Sequence, residues 1–191
     1  MPWTISDRRG PAGRSRRASR PAWWLGSPLA LLAACWLGGL RLNLTGSLPV
    51  GLYLASRAAP VRGALVLACL PPEVAAFARE RGYVPRGGAC PGGVVPVGKP
   101  VLAISGDTVT VTPTGLLVNG APVPNSQALA SDRKGRPLPR LAVGRYVVGP
   151  GRLWVLSSYS RSSFDSRYFG PVEAGQVRAS VRRLWTGGAD R

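Results

Sequence analysis

Ser47 stands in the stretch NLTGSLPVG, residues 43–51, with Gly46 before it and Pro49 shortly after, just beyond a long apolar run. A serine hydroxyl on such a turn attacks a carbonyl only when a base takes its proton. The sequence contains no histidine, which excludes a Ser-His-Asp relay and any His-ligated metal. Two lysines remain as bases, Lys99 and Lys134. An amine serves this role when neutral, and desolvation lowers its pKa by penalising the ammonium. Lys99 lies in VVPVGKPVLAI, apolar on both sides, with no acid nearer than Asp107. Lys134 lies in the polar string DRKGR, two residues from Asp132, where the charged form is favoured. Lys99 is therefore the better base for Ser47. Each residue alone also fits a plainer role, Ser47 as a turn serine or helix cap and Lys99 as a strand-start lysine whose amine reaches water.

The element that would position Ser47 is the apolar segment 22–40, AWWLGSPLALLAACWLGGL, which is 19 residues long and uncharged. As a helix it spans about 28 Å, close to the roughly 30 Å of a bilayer core. A cleaved signal peptide is the alternative, but its apolar region is shorter and ends in a small-x-small site. Trp23, Trp24 and Trp36 near the ends, and the direct run into Arg41, favour an uncleaved anchor. The expected division is a basic cytoplasmic tail over 1–20, a transmembrane anchor over 21–40, an exported domain over 41–186 and a tail over 187–191. The arginines of residues 8–20 stay inside by the positive-inside rule, so the exported domain faces a bacterial periplasm.

A net charge of +17 ordinarily points to nucleic acid or anionic lipid. Six of the arginines crowd into residues 1–20, and the remaining basic residues are scattered without a run longer than two. No nucleic-acid-binding motif accompanies them, so the expectation is a basic surface near lipid headgroups and no nucleic-acid partner. Cys35 reads as a small apolar side chain within the anchor. Cys69 and Cys90, 21 positions apart in ACLPP and GACPGG, read as a disulfide in an oxidising compartment. A metal pair is the weaker alternative, since no other soft ligand is available. No cofactor is expected.

Past residue 50 the chain reads as mainly β. GLYLAS and RGALVLACL have strand length and composition, and EVAAFARER after two prolines predicts a short helix. GGACPGGVVPVG reads as loop. KPVLAI, DTVTVT and LLVNGAPV, the last with an Asn-Gly hairpin signal, predict an antiparallel meander. Residues 121–140 read as a long polar surface loop. GRYVVG, GRLWVLSS and QVRASVRRLW supply further strands. Asp165 and Arg167, two apart on what reads as an extended segment, point to one side and suggest a structural pair, with Asp165 as a direct acid the alternative.

NLTGSLPVGLY, RGALV, KPVLAISGD and SFDSRYFGP follow the order of the conserved boxes of the membrane-bound serine/lysine signal peptidases, the S26 family, which the exported domain resembles over about residues 40–186. The resemblance is closest to the conjugative-transfer (TraF-type) branch, which processes pilin subunits, and the paired cysteines are also similar to that branch. It implies an antiparallel, signal-peptidase-like β domain behind one N-terminal transmembrane helix. Carried over, Ser47 is the nucleophile and Lys99 the general base, with the Ser47 N–H and the Thr45 hydroxyl holding the oxyanion. Ser163 matches the serine that orients the lysine amine, and Asp165 and Arg167 match a charged pair supporting the site. The chain departs from general leader peptidases in Leu48 for a methionine, Pro100 for an arginine, Ala64 for an aspartate, and the lack of a GDN string before DSR.

The expected activity is cleavage of a preprotein as it emerges from the membrane, most specifically a pilin precursor, through an acyl-enzyme resolved by water or, with cyclisation, by a substrate amine. A general type I signal peptidase is the nearest alternative. A noncatalytic inner-membrane component of a conjugation or secretion channel is the alternative of another class.

Overall fold

A computed structural model describes residues 23–44 and 48–187. The chain runs through α1 (Trp23–Leu37), β1 (Leu40–Asn43), β2 (Gly51–Ser56), β3 (Leu65–Ala68), α2 (Pro72–Glu80), β4 (Arg86–Cys90), β5 (Val97–Ile104), β6 (Thr108–Thr112), β7 (Gly115–Val118) and β8 (Ala121–Pro122). It continues through β9 (Gly144–Val147), β10 (Arg152–Val155), α3 (Ser166–Phe169), β11 (Val172–Glu173) and β12 (Val177–Thr186). The expected basic tail over 1–20, the first two residues of the expected anchor, Thr45, Ser47 and residues 188–191 lie outside the described residues.

Helix α1 is 15 residues long, or about 22 Å. No helix among the described residues is long and apolar enough to cross a membrane. The helix stops short of the expected residue 40 because two glycines follow Leu37, and Gly39 adopts φ +90°, a left-handed conformation that ends helices. The Gly39 carbonyl then accepts the Ala55 N–H at 2.8 Å, and Leu40 opens β1.

The strands form a seven-stranded sheet, β1-β2-β12-β3-β5-β10-β11, and a four-stranded sheet, β8-β7-β6-β9. Every pairing within them is antiparallel. The small sheet follows from alternation in DTVTVT, where Val109 and Val111 are buried and the threonines between them half-buried. Asn119 and Gly120, both at positive φ, make the two-residue turn between β7 and β8.

KPVLAI does not join this meander. Asp107 breaks the run by accepting the Ile104 N–H at 2.9 Å and the Asn119 side-chain amide at 3.0 Å, and Gly106 turns the chain at φ +88°. Strand β5 instead lies inside the large sheet. Its first half pairs with β3, Val66 opposite Lys99, and its second half with β10, Trp154 opposite Ala103. Alternation puts Lys99, Val101 and Ala103 on one buried face.

The expected loop over residues 87–98 is also corrected. Part of it is β4, bridged to Val94 from Arg86 and Cys90, and its last two residues open β5. Trp154 is buried between the sheets against Val109, Leu116 and Val148. Burial of one such large apolar side chain contributes about 2–3 kcal/mol. A second core packs Leu70, Ala75, Ala78 and Val94 around the disulfide Cys69–Cys90, whose Cα atoms are 5.4 Å apart.

Candidate active site

Lys99 is 2% exposed because β5 turns its side chain to the same face as Val101. Its amine donates a hydrogen bond to the Ser163 hydroxyl. Burial pulls the Lys99 pKa down to about 8, against the nearby Asp165 carboxylate, which raises it, and with the Arg167 guanidinium, which lowers it. At neutral pH about a tenth of such an amine is neutral and able to take a proton.

The segment carrying Ser163 is held from three directions. Arg167 and Asp165, both fully buried, form a two-pronged pair, Nε to Oδ1 and Nη2 to Oδ2, each at 2.8 Å. The same guanidinium donates to the carbonyls of Ser163 and Asn125, each at 3.0 Å. Asp165 also accepts the Ser157 N–H at 3.1 Å. Phe164, between Ser163 and the ion pair, stacks on Phe77 of α2 at 5.6 Å and on Tyr168 at 5.5 Å. Asp165 and Arg167 do not lie on an extended segment as the sequence suggested. Asp165 caps α3 by accepting the Arg167 N–H at 3.3 Å, and the turn of helix brings the two side chains together.

Ser47 and Thr45 lie outside the described residues, but the chain on either side of them is fixed. Asn43 and Gly51 are register partners in the β1–β2 hairpin, so residues 44–50 connect the two strands. The Asn43 side-chain amide donates to the carbonyls of Leu48 and Pro49, each at 3.1 Å, and the Tyr53 hydroxyl donates to Pro49 O at 2.7 Å. Leu48 is buried with Tyr53 and Val181. A Cβ placed on Gly98 would stand 2.9 Å from Leu48 Cδ1. The residue after Ser47 thus lies against the residue before Lys99.

Lys99 and Ser163 line a cleft of about 440 Å³, within the range that holds small ligands or short peptide segments. Its apolar lining includes Val97, Leu129, Leu138 and Tyr168. Asp132, Arg133, Lys134 and Arg136 also line it, from the segment whose composition predicts a surface loop. Asp132 organises that turn by accepting the N–H groups of Lys134 and Arg136 at 2.8 and 3.0 Å and the Tyr83 hydroxyl at 2.6 Å. The signal was present in DRKG, since an aspartate three residues before a glycine marks such a turn. Nothing in the string says that the turn lines the cleft that also holds Lys99. Lys134 lines the same cleft but is exposed.

An antiparallel β domain with a buried, hydrogen-bonded lysine facing a cleft is the setting in which the sequence relationships are informative. The family model for signal peptidase, peptidase S26, matches residues 40–185, and the chain belongs to that family. It is 44% identical over 163 residues to a plasmid transfer protein TraF of Escherichia coli, covering 84% of this chain and 91% of that one. It is 43% identical over 161 residues to the conjugal transfer protein TraF of Agrobacterium tumefaciens, covering 82% and 88%. A crystal structure of a signal peptidase I from Enterococcus faecalis superposes with a TM-score of 0.38 at 20% identity, over 65% of this chain and 98% of that one.

Proposed function

We propose that the chain is a membrane-anchored serine endopeptidase that matures an exported precursor, with Ser47 as nucleophile and Lys99 as general base. The observation that carries this reading is Lys99 itself, a buried amine with a lowered pKa, held by a hydroxyl at the edge of a cleft. A buried lysine costs stability, and here that cost yields a base. The contact between Leu48 and the Gly98 position favours Ser47 as its partner.

In this mechanism Lys99 takes the Ser47 proton as Oγ attacks the scissile carbonyl. The Ser47 N–H and the Thr45 hydroxyl receive the oxyanion. The ammonium then protonates the departing amine, leaving an acyl-enzyme on Ser47. Attack by water gives a linear product, and attack by an amine of the same substrate a circular one. The mass of the product distinguishes them. Ser163 orients the lysine, while Asp165 and Arg167 hold the segment that carries Ser163.

The names of the relatives direct the choice of substrate to conjugation, and a small apolar pilin precursor is the reading we adopt. An anchor over residues 21–40, with the domain in the periplasm, would keep Ser47 near the membrane surface where such a precursor emerges. Ser47→Ala and Lys99→Ala should each abolish processing of a co-expressed pilin precursor at unchanged protein level. Processing by both variants would refute the enzymatic reading.

A further inference from the structure

The cleft beside Lys99 has an uneven charge. Arg81, Arg133, Lys134 and Arg136 line it against the one carboxylate of Asp132. That carboxylate is already spent. It pairs with Arg136 at 2.7 Å and accepts the hydrogen bonds that shape the 132–136 turn. Arg136 is spent as well, since it also donates to Arg81 O at 2.9 Å and lies over the Tyr83 ring at 5.6 Å. The Arg81 guanidinium lies over the Phe77 ring at 4.7 Å and donates to Pro137 O at 3.2 Å.

Arg133 and Lys134 are different. Both are exposed, neither has an ion pair with a described residue, and the turn that carries them is braced by Asp132 and Gly135, the latter at φ +75°. Two cations on a preformed turn that lines the same peptide-sized cleft as Lys99 and Ser163 match an anionic group on whatever fills that cleft.

We infer that the cleft takes a substrate segment bearing a carboxylate, an acidic side chain or a free chain terminus, with Arg133 and Lys134 as its specificity-determining cations. The inference rests on the peptidase reading and adds the substrate chemistry that the cleft selects. The apolar lining takes small or apolar side chains, and the cationic turn sets which flank of the peptide lies beneath it.

The test uses the full chain in detergent and a fluorescent peptide carrying a pilin-type cleavage site flanked by glutamate. Its glutamine isostere and its C-terminal amide separate a side-chain carboxylate from a terminal one. Both binding, by anisotropy with the Ser47→Ala protein, and kcat/KM, with the active chain, are measured for each peptide. The carboxylate-bearing peptide should be favoured about fivefold at low salt, the size expected of partly exposed ion pairs. The preference should shrink at high salt and fall close to unity in Arg133→Gln/Lys134→Gln.

Because the whole chain is basic, Arg145→Gln/Arg152→Gln, which alters exposed arginines outside the cleft lining, serves as the charge control and should retain the preference. Equal binding of the acid, its glutamine isostere and its C-terminal amide by the unsubstituted turn overturns the inference while cleavage still supports the peptidase reading. An equal loss in the charge control overturns it too. Tight, carboxylate-dependent binding without cleavage of any peptide would keep the inference and remove the peptidase reading.

Discussion

Leu48 and Gly98 meet so closely that a single methyl group at residue 98 would come within 2.9 Å of Leu48 Cδ1. The contact joins two segments that are 50 positions apart, Leu48 directly following the proposed nucleophile Ser47 and Gly98 directly preceding the proposed base Lys99. Gly98→Ala asks only the tip of Leu48 to move, and its stability cost should stay below about 1 kcal/mol. Gly98→Val adds bulk that Leu48 and Leu67 cannot both clear, for about 1–3 kcal/mol, and should shift the backbone beside Ser47. Activity should therefore fall at least tenfold in Gly98→Val, measured at a temperature where both variants are fully folded. Full activity in Gly98→Val would show that this contact does not set the geometry of Ser47.

The Lys99 pKa makes two statements about pH. Activity should rise with pH as the amine loses its proton, levelling off above about 8. Stability moves the same way for a separate reason. The folded value, about 8, lies below the ordinary 10.5, so the unfolded chain binds more protons between the two, and folding becomes more favourable as pH rises through that window. Below it the buried ammonium costs on the order of 3 kcal/mol, and above it the cost is relieved. Lys99→Met should be inactive yet more stable than the native chain to urea at pH 7, with the gap closing by pH 10.5. A less stable Lys99→Met protein at pH 7 would contradict this account of Lys99.

Ser163 can be separated from general support by its hydroxyl. Ser163→Ala removes the acceptor of the Lys99 amine, an interaction of about 1.5–3 kcal/mol when one partner is charged. Turnover should fall about 10- to 100-fold with little change in KM, and Ser163→Thr should recover part of it. A loss in KM alone would assign Ser163 to substrate binding instead.

Arg167 has a larger structural task. It meets the Asp165 carboxylate and holds the carbonyls of Ser163 and Asn125 in a site without solvent. Arg167→Met leaves Asp165 charged and unpaired, and should cost about 3–5 kcal/mol, read as a lowered urea midpoint. Asp165→Asn keeps hydrogen-bonding capacity and should be milder. Equal, small effects of both would mean that the pair contributes little.

The disulfide Cys69–Cys90 closes a loop that contains α2, against which Phe164 stacks. Its reduction, or Cys69→Ala/Cys90→Ala, should cost about 3 kcal/mol by the loop-closure argument. The melting temperature with and without reductant checks it, and an unchanged value would place the stability of α2 in its packing alone.

The strands that alternate in sequence were legible because a pleated surface with one buried side demands that pattern. DTVTVT shows it, and the Asn-Gly turn after LLV had a local cause in backbone conformation. RGGAC was not legible. It has no alternation, and β4 exists because the chain folds back so that Arg86 and Cys90 both bridge Val94 a few residues on. The Asp165 cap was hidden for a related reason, since DSR is equally compatible with an extended strand until the Ser157 N–H and the Ser163 carbonyl arrive to fix it.

What the sequence by itself determined is the chemistry on offer: no histidine, two lysines of which one has apolar neighbours, a serine on a Gly/Pro turn, and two cysteines able to pair. These are properties of residue type and local context. The tertiary structure decided that Lys99 faces inward, that Ser163 receives its amine from 64 residues away, and that the DRKGR turn lines the same cleft. Those outcomes depend on which strands pair and in what register, and register is set by the summed burial of many side chains rather than by any residue it brings together.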